Sequence, residues 1–337
     1  MSCTWPMAVY VDPHKKTKNG KKKLIFPKFD KDRANYGVMY DEEIKLHQDY
    51  VTLFDDAPES FFLPCGRCDD CKLTRSRDWA VRCMHEASMS SDNSFITLTY
   101  SKEFLPKNGS VDKEAFPGFM KRLWNRFDRK IRYYYCAEYG EDFLRPHYHG
   151  LMFNLDFEDK YLWTYRDGFP VWRSPTLEKC WKFGFSEIGT LTFESAGYVS
   201  RYCTKKVYGQ LAEDYYGEYE PEFARGSNRP GIGASWIQAN WRDVYPEDRV
   251  VVARPDKPVF FCKPPRYYDK LLFDIDPEMY HEVMEKRRVQ AIQSVFKKSF
   301  DRLEARRYIT SQKMGQLPRS MEINGVMEIP NENVQCI

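Results

Sequence analysis

Two histidines, two tyrosines and a lysine in the middle of the chain have the types and spacing of a site that cleaves phosphodiesters. His147 and His149 are two residues apart, so in an extended strand both imidazoles point to one side of the sheet and can hold one metal ion. Tyr198 and Tyr202 are four residues apart, and Lys205 continues the same helical stripe. A divalent metal beside tyrosine hydroxyls and an ammonium group predicts an enzyme that cuts and rejoins nucleic acid.

A carboxylate is expected to complete the metal site. Residues 133–139 and 147–153 are predicted to form an antiparallel hairpin, which places Glu138 close to His147 and His149. Two imidazoles and one carboxylate leave positions open for substrate oxygens, which suits a catalytic Mg²⁺ or Mn²⁺. The same ligands could serve a non-haem metal oxygenase, but that alternative leaves the tyrosines and the lysine unexplained.

The two tyrosines are interpreted as nucleophiles. A tyrosine oxygen is both a nucleophile and a good leaving group, so a phosphotyrosine bond preserves the energy of the broken linkage and rejoining needs no ATP. A nearby cation such as Lys205 would stabilise the phenolate. Aromatic pairs at this spacing are usually core packing. The polar residues around this pair, including Ser200 and Arg201, favour a functional face instead.

Three cysteines form a second candidate metal site. Cys65, Cys68 and Cys71 have the spacing of zinc ligands, and Cys83 or His85 could complete a tetrahedral structural Zn²⁺ site. The alternative is three reduced cysteines at the junction of a loop and a helix.

The elements around these residues predict an α+β fold with a central antiparallel sheet and flanking helices. The expected strands are 95–100, 133–139, 147–153 and 185–191, and the expected helices are 116–130, 192–206 and 278–312. Residues 1–60 are predicted to be a β-rich segment, with a tight turn at Asn19-Gly20, and residues 61–240 the catalytic domain. Residues 209–250 are expected to be rich in loops. Residues 241–337 are predicted to be an accessory region with a long helix and a flexible tail.

Composition limits the classes of function. The chain has 337 residues and a net charge of only +3, so a nucleic-acid surface must come from local clusters of basic residues. One such cluster could combine Arg201 and Lys206 with basic residues before and within the helix after the cysteines, namely Arg67, Lys72, Arg75, Arg77 and Arg82. No apolar run is long enough for a membrane helix, and no phosphate-binding loop of an ATP-driven motor occurs. We therefore expect a soluble cytoplasmic protein that depends on a separate helicase.

In their order and spacing, these motifs resemble those of the HUH endonuclease superfamily, and in particular the rolling-circle replication initiators of Microviridae phages of the gokushovirus type. The resemblance covers roughly residues 60–240. The matching segments are the strand 95–100, the metal motif 145–150 and the nucleophile motif 198–206, with 65–71, 79–86 and 229–233 as further similarities.

The resemblance implies a mechanism and partners. One tyrosine would attack the single-stranded origin, leaving a 5′-phosphotyrosyl link and a 3′-OH that primes synthesis, and the second would later release a circular strand. It also implies DNA contacts from Arg145, Arg201 and Lys206, together with phage origin DNA, the host helicase and replication machinery as partners in the host cytoplasm. A transposase or relaxase, or a non-catalytic DNA-binding protein, stays an alternative.

Overall fold

The computed structural model describes residues 3–4, 7–16, 22–25, 60–66, 68–140, 145–166, 168–205, 215–254, 257–293 and 300–315. The strands are β1 (Met7–Lys16), β2 (Lys22–Ile25), β3 (Ser60–Leu63), β4 (Asn93–Tyr100), β5 (Arg132–Tyr139), β6 (Pro146–Phe153), β7 (Tyr161–Arg166), β8 (Phe169–Arg173), β9 (Gly184–Gly189), β10 (Phe223–Gly226), β11 (Val250–Arg254) and β12 (Lys257–Cys262). The helices are α1 (Asp69–Ala87), α2 (Ala115–Arg126), α3 (Pro175–Cys180), α4 (Phe193–Lys205), α5 (Ala234–Val244), α6 (Arg266–Ile275), α7 (Pro277–Gln293) and α8 (Phe300–Gly315).

The chain forms two units. The first comprises residues 1–74 and 287–317, and the second comprises residues 75–286 and 318–337. The described part of the first unit contains a small antiparallel sheet with β1 between β2 and β3. The predicted turn at Asn19-Gly20 and the C-terminal tail lie outside the described residues.

The second unit is built on a seven-stranded sheet in the order β10-β5-β6-β4-β9-β8-β7. Every neighbouring pair is antiparallel, which confirms the α+β prediction with a central antiparallel sheet. The predicted hairpin is present as β5 and β6, and Glu138 pairs directly with His147. Since directly paired residues lie on the same face of a sheet, this register puts the carboxylate and the imidazole on one face.

Helices cover both faces of the sheet at its centre. Phe116 and Phe119 of α2 pack with Trp181 against one face, in a cluster that includes Ile96 and Leu98. On the opposite face, α1 and α4 pack over β5 and β6. The buried residues of this second cluster include Ala80, Cys83, Cys136, Leu151, Ala196 and Tyr198. The helix α4 is therefore fixed above the strands that carry the two histidines.

The N-terminus of α4 agrees with its prediction from the sequence. Thr192 Oγ1 accepts a 3.1 Å hydrogen bond from Ser195 N, and Ser195 Oγ accepts one of 2.8 Å from Thr192 N. This reciprocal pair satisfies two backbone N–H groups that a helix N-terminus leaves without intrahelical partners.

Two predicted helices differ from those observed. The helix expected over 116–130 ends at Arg126, because Phe127 adopts an extended conformation and its N–H closes the last turn on Leu123 O. The helix expected over 278–312 is two helices, α7 and α8, on either side of residues 294–299, which lie outside the described residues. In both cases the charged, helix-favouring composition continues beyond the point where the helix stops.

The loop-rich region expected over 209–250 contains the helix α5, which the sequence analysis missed. Gly233 precedes it with φ of +78°, a conformation that glycine adopts at little cost. The turn before it is tied to α1, because Ile232 O accepts from Arg82 Nε at 3.0 Å and Gly233 N donates to Glu86 Oε2 at 2.6 Å. The motif at residues 229–233 therefore acts as a structural clip. In the described part of the chain, no helix is long and apolar enough to span a bilayer.

Candidate functional site

Glu138, His147 and His149 meet on the face of the sheet beneath α4. Their ligand atoms all lie within 4.8 Å of one another, and all three side chains are buried. Glu138 Oε1 is 3.0 Å from His147 Nε2 and 2.9 Å from His149 Nε2. Cis ligands of an octahedral ion with bonds of 2.0–2.1 Å are about 2.9 Å apart, so these separations fit a Mg²⁺-sized or Mn²⁺-sized ion.

Hydrogen bonds on the far side of each ring orient the histidines. His147 Nδ1 is 3.1 Å from the carbonyl oxygen of Arg145, which can only accept, so Nδ1 carries the hydrogen. In the neutral ring, Nε2 then presents a lone pair toward Glu138, and only a cation or a second proton between them makes that contact favourable. His149 Nδ1 is 3.0 Å from Thr97 Oγ1 on β4. Thr97 and the backbone of Arg145 are thus positioning groups.

Glu138 stays ionised in this buried place. Burial alone would raise the pKa of its carboxyl group, but the hydrogen bonds and charges of His147 and His149 outweigh burial and lower the pKa below the usual value. Its second oxygen, Oε2, is buried and has no hydrogen-bond partner among the residues that the structure describes. A buried carboxylate oxygen without a partner is costly, which fits a cation held at this point.

Tyr198 reaches the same carboxylate from above. Its hydroxyl donates a 3.1 Å hydrogen bond to Glu138 Oε1, and its ring stands edge-on to His149 with centroids 5.1 Å apart. The guanidinium of Arg201 lies 5.9 Å from the centre of the Tyr198 ring. The structure therefore brings one predicted nucleophile and one predicted DNA contact to the three candidate metal ligands.

The remaining predicted residues of this motif are placed only in part. Tyr202 and Lys205 belong to α4, one and about two turns after Tyr198, but their side chains lie outside the described residues. Lys206 lies outside them entirely. Arg145 is partly buried just before β6.

Four cysteines, rather than three, cluster in the first unit. Cys3 joins Cys65, Cys68 and Cys71, and all four sulfurs lie within 4.8 Å of one another. Cys3 Sγ is 3.6 Å from Cys65 Sγ and 3.8 Å from Cys68 Sγ, far longer than a disulfide bond. The cluster is a second group of residues that could hold a metal ion.

The expected fourth ligand was wrong. Cys83 is buried in a hydrophobic cluster of the second unit, and His85 in the same unit bonds through Nδ1 to Tyr268 Oη at 2.9 Å. Cys3 is more than sixty residues from the other cysteines along the chain, so no local spacing pattern could have found it.

One predicted phosphate contact has a structural role instead. The guanidinium of Arg82 lies 3.9 Å from the ring centre of Trp79 and 4.1 Å from that of Tyr267, and it donates to Ile232 O. Arg77 pairs with Asp78 at 3.2 Å, and Arg67 lies outside the described residues.

An antiparallel sheet that presents two histidines from one strand, beneath a helix that carries tyrosines, defines the HUH endonuclease class of fold. The family model described as replication-associated protein ORF2 matches residues 93–207, which include both motifs. Relatives include replication-associated protein ORF2 of Spiroplasma virus 4, 35% identical over 70% of this chain and 76% of the relative. Replication-associated protein VP4 of Bdellovibrio phage phiMH2K is 33% identical over 66% of this chain and 71% of the relative. Replication-associated protein ORF4 of Chlamydia phage 1 is 34% identical over 44% of this chain and 39% of the relative.

The chain belongs to this family of phage replication-associated proteins, the rolling-circle replication initiators of the Microviridae. No solved structure gives a significant match.

Proposed function

We propose that this initiator nicks and rejoins single-stranded origin DNA through a tyrosine–phosphate bond. The observation that carries the proposal is the 3.1 Å hydrogen bond from the Tyr198 hydroxyl to Glu138 Oε1, the atom that both histidines also approach. A candidate nucleophile and three candidate ligands thus share one point. A phosphate held there would lie within reach of the tyrosine oxygen.

The chemistry follows from these side chains. As Tyr198 Oη attacks phosphorus, its proton has an acceptor in place in Glu138, and the P–O bond to the 3′ oxygen breaks. The 3′ oxygen leaves as a hydroxyl after taking a proton from solvent, and the 5′-phosphate stays on tyrosine. A bound Mg²⁺ or Mn²⁺ would polarise the phosphate and offset its developing charge. Tyr202 is proposed as the second nucleophile, and Lys205 as the cation that stabilises the phenolate.

Access and contacts to DNA are part of the same proposal. Glu138, His147, His149 and Tyr198 are all buried, so DNA binding must expose them before a phosphate can enter. Arg145, Arg201 and Lys206 are proposed to bind phosphates beside the scissile bond. We propose residues 61–240 as the catalytic domain, with residues 1–60 and 241–337 as accessory segments. Origin DNA, the host helicase and the host replication machinery are the proposed partners, in the host cytoplasm.

The names of the relatives favour an initiator over a transposase or relaxase. An oxygenase would use the same three ligands but would have no role for Tyr198. A non-catalytic DNA-binding protein would leave no covalent product.

The test is covalent capture of DNA. A labelled single-stranded oligonucleotide carrying the phage origin is incubated with the protein and Mn²⁺ or Mg²⁺ and separated on a denaturing gel. We expect a metal-dependent protein–DNA band that His147→Ala/His149→Ala abolishes. Tight binding of the origin strand without any such band would reject the nicking proposal.

We further propose that the four cysteines hold one structural Zn²⁺. Sulfurs at 2.3 Å from a tetrahedral ion are about 3.8 Å apart, close to the observed 3.6 and 3.8 Å. Cys65 N donates to Cys3 Sγ at 3.3 Å and Cys68 N to Cys65 Sγ at 3.2 Å, contacts that favour a thiolate. A closed set of four sulfurs leaves no position for substrate, so this ion would be structural.

A further inference from the structure

An open cavity of about 790 Å³ lies at the end of the sheet where β5 begins. It is formed by the loop between α2 and β5 and by the turn after β10. The two segments are joined, because Ser227 N donates to Tyr133 O at 2.9 Å and Tyr133 N donates to Ser227 Oγ at 3.2 Å. The walls of this cavity, called here the basic groove, are therefore fixed by the pairing of β5 with β10.

Basic side chains dominate the charge of the basic groove. Arg129, Lys130, Arg132 and Arg229 line it, with Asp128 as the single acidic residue of the described lining. Arg132 is held by Glu86 and donates to Pro230 O, and Arg129 pairs with Asp92 at 2.9 Å.

Two of these cations remain available to a ligand. Lys130 and Arg229 are exposed, and within the described ranges neither side chain has an ion-pair or hydrogen-bond partner. A groove that offers two such cations fits a phosphate backbone.

Aromatic rings line the same groove. Trp124 is 44% exposed, and its indole Nε1 donates to Ile131 O at 3.2 Å, which fixes the ring before any ligand arrives. Its centroid is 6.2 Å from that of Tyr133, with the rings tilted by 45°. A preoriented, exposed indole beside cations is the combination on which unpaired nucleobases stack.

The basic groove is distinct from the candidate metal site. Arg132 begins β5 and Glu138 lies near its end, six residues on, which is about 20 Å at 3.4 Å per residue. At the stacked rise of about 3.4 Å per nucleotide, this corresponds to about six nucleotides or more. A strand that fills both places must therefore extend well beyond the scissile phosphate.

We propose that the basic groove is a second binding site for single-stranded DNA, in which Lys130 and Arg229 bind phosphates and Trp124 stacks with a base. The inference rests on the proposed origin-nicking function, because it assigns the groove to a distant part of the same strand. A duplex fits less well, since its bases are already stacked on one another.

The first experiment measures the affinity of the whole protein for an oligothymidylate of about 20 nucleotides, by fluorescence anisotropy over a range of salt concentrations. We expect Lys130→Ala/Arg229→Ala to weaken binding on the order of tenfold at low salt and to reduce the salt slope by about 1.4, or 0.7 for each lost phosphate contact. Trp124→Ala should weaken binding by about fivefold or more. The control Lys179→Ala/Lys270→Ala removes the same charge from exposed positions on α3 and α6 and should leave the slope unchanged.

Ultraviolet crosslinking of the same oligonucleotide, followed by peptide mass spectrometry, locates the contact. Peptides with Trp124 or Tyr133 should carry nucleotide. Unchanged affinity and slope in both test variants would overturn the proposal and leave the groove as a surface for a protein partner. Binding is measured without cleavage, so a failure of nicking alone would reject the proposed function and not this site.

Discussion

The hydroxyl of Tyr198 and the carboxylate of Glu138 are joined by a 3.1 Å hydrogen bond between side chains that are sixty residues apart in the chain. Glu138 comes from β5 and Tyr198 from α4, so this bond exists only if the helix is docked on the correct face of the sheet. Both side chains are buried, with Glu138 and Tyr198 each 1% exposed. The bond is the most direct link between the candidate nucleophile and the candidate metal site, and the first prediction addresses it.

Removing both tyrosine hydroxyls should abolish covalent chemistry. We expect Tyr198→Phe/Tyr202→Phe to form no protein–DNA adduct, because no phenol oxygen of the motif remains to attack phosphorus. Tyr198→Phe alone should also lower the free energy of unfolding by about 1 kcal/mol, since a buried hydrogen bond to a carboxylate is lost. Denaturing gels and urea unfolding measure the two effects.

Tyr165→Phe serves as the control for this prediction, because it removes a hydroxyl from an exposed tyrosine on β7. It should behave like the unaltered protein in both assays. An adduct formed by the double variant would show that the nucleophile lies elsewhere.

Metal binding should stabilise the protein through Glu138, His147 and His149. At Mn²⁺ concentrations about 100-fold above the dissociation constant, we expect about 2.7 kcal/mol of added stability, seen as a rise in melting temperature. Glu138→Gln should lose most of this rise, because the amide keeps the shape but not the charge of the ligand. Glu218→Gln, at an exposed position, is the matched control. An equal rise in Glu138→Gln and the control would contradict the assignment of these ligands.

Purified protein should contain one zinc ion per chain, and that ion should depend on Cys3. We expect Cys3→Ser to lose zinc as completely as Cys68→Ser, because a tetrahedral site needs all four sulfurs. Inductively coupled plasma mass spectrometry gives the zinc content. Cys180→Ser, in the core of the second unit, should retain the metal. Full zinc occupancy in Cys3→Ser would remove Cys3 from the site.

Stability should fall in mild acid because His85 is buried in its neutral form. Burial lowers the pKa of His85 to about 4, whereas the unfolded chain binds a proton near 6.5. Its ring is stacked 3.5 Å from Trp236 and bonded to Tyr268. The contribution is complete above about pH 6.5 and is lost as the pH falls towards 4, because the unfolded state then binds the extra proton.

Between about pH 7.5 and about pH 5 this linkage amounts to about 2 kcal/mol. Urea unfolding at the two pH values should show this loss in the unaltered protein and a loss smaller by about that amount in His85→Gln, which does not titrate. The same pH dependence in both proteins would assign acid sensitivity to other groups.

The clip formed by residues 229–233 should require glycine at 233. A Cβ there would lie 2.4 Å from Tyr268 Oη, and φ is +78°. We expect Gly233→Ala to cost about 2–5 kcal/mol from backbone strain and overpacking together.

Gly168 has φ of +80° with nothing within 4 Å of its Cβ position. Gly168→Ala should therefore cost only the backbone strain of about 1–2 kcal/mol. Chemical denaturation of both variants separates the two causes, and equal losses would contradict the contact with Tyr268.

Local sequence patterns determined much of the fold and part of the candidate site. The alternation of β4, the β5–β6 hairpin and the start of α4 at Thr192 follow from the spacing of apolar residues and from capping chemistry, which act over a few residues. Because strand pairing fixes which residues face together, the sequence also predicted that Glu138 would join the two histidines. The motif order placed the chain in its family.

Tertiary structure alone decided the contacts between residues that are distant in sequence. Cys3 as the fourth sulfur, Thr97 as the partner of His149 and Glu86 as the anchor of Gly233 each come from another element. The basic groove arises because the chain leaves α2 at Phe127 and meets the end of β10. No periodicity records such meetings, because they depend on how whole elements pack, and packing is set by the sum of many weak contacts along the chain.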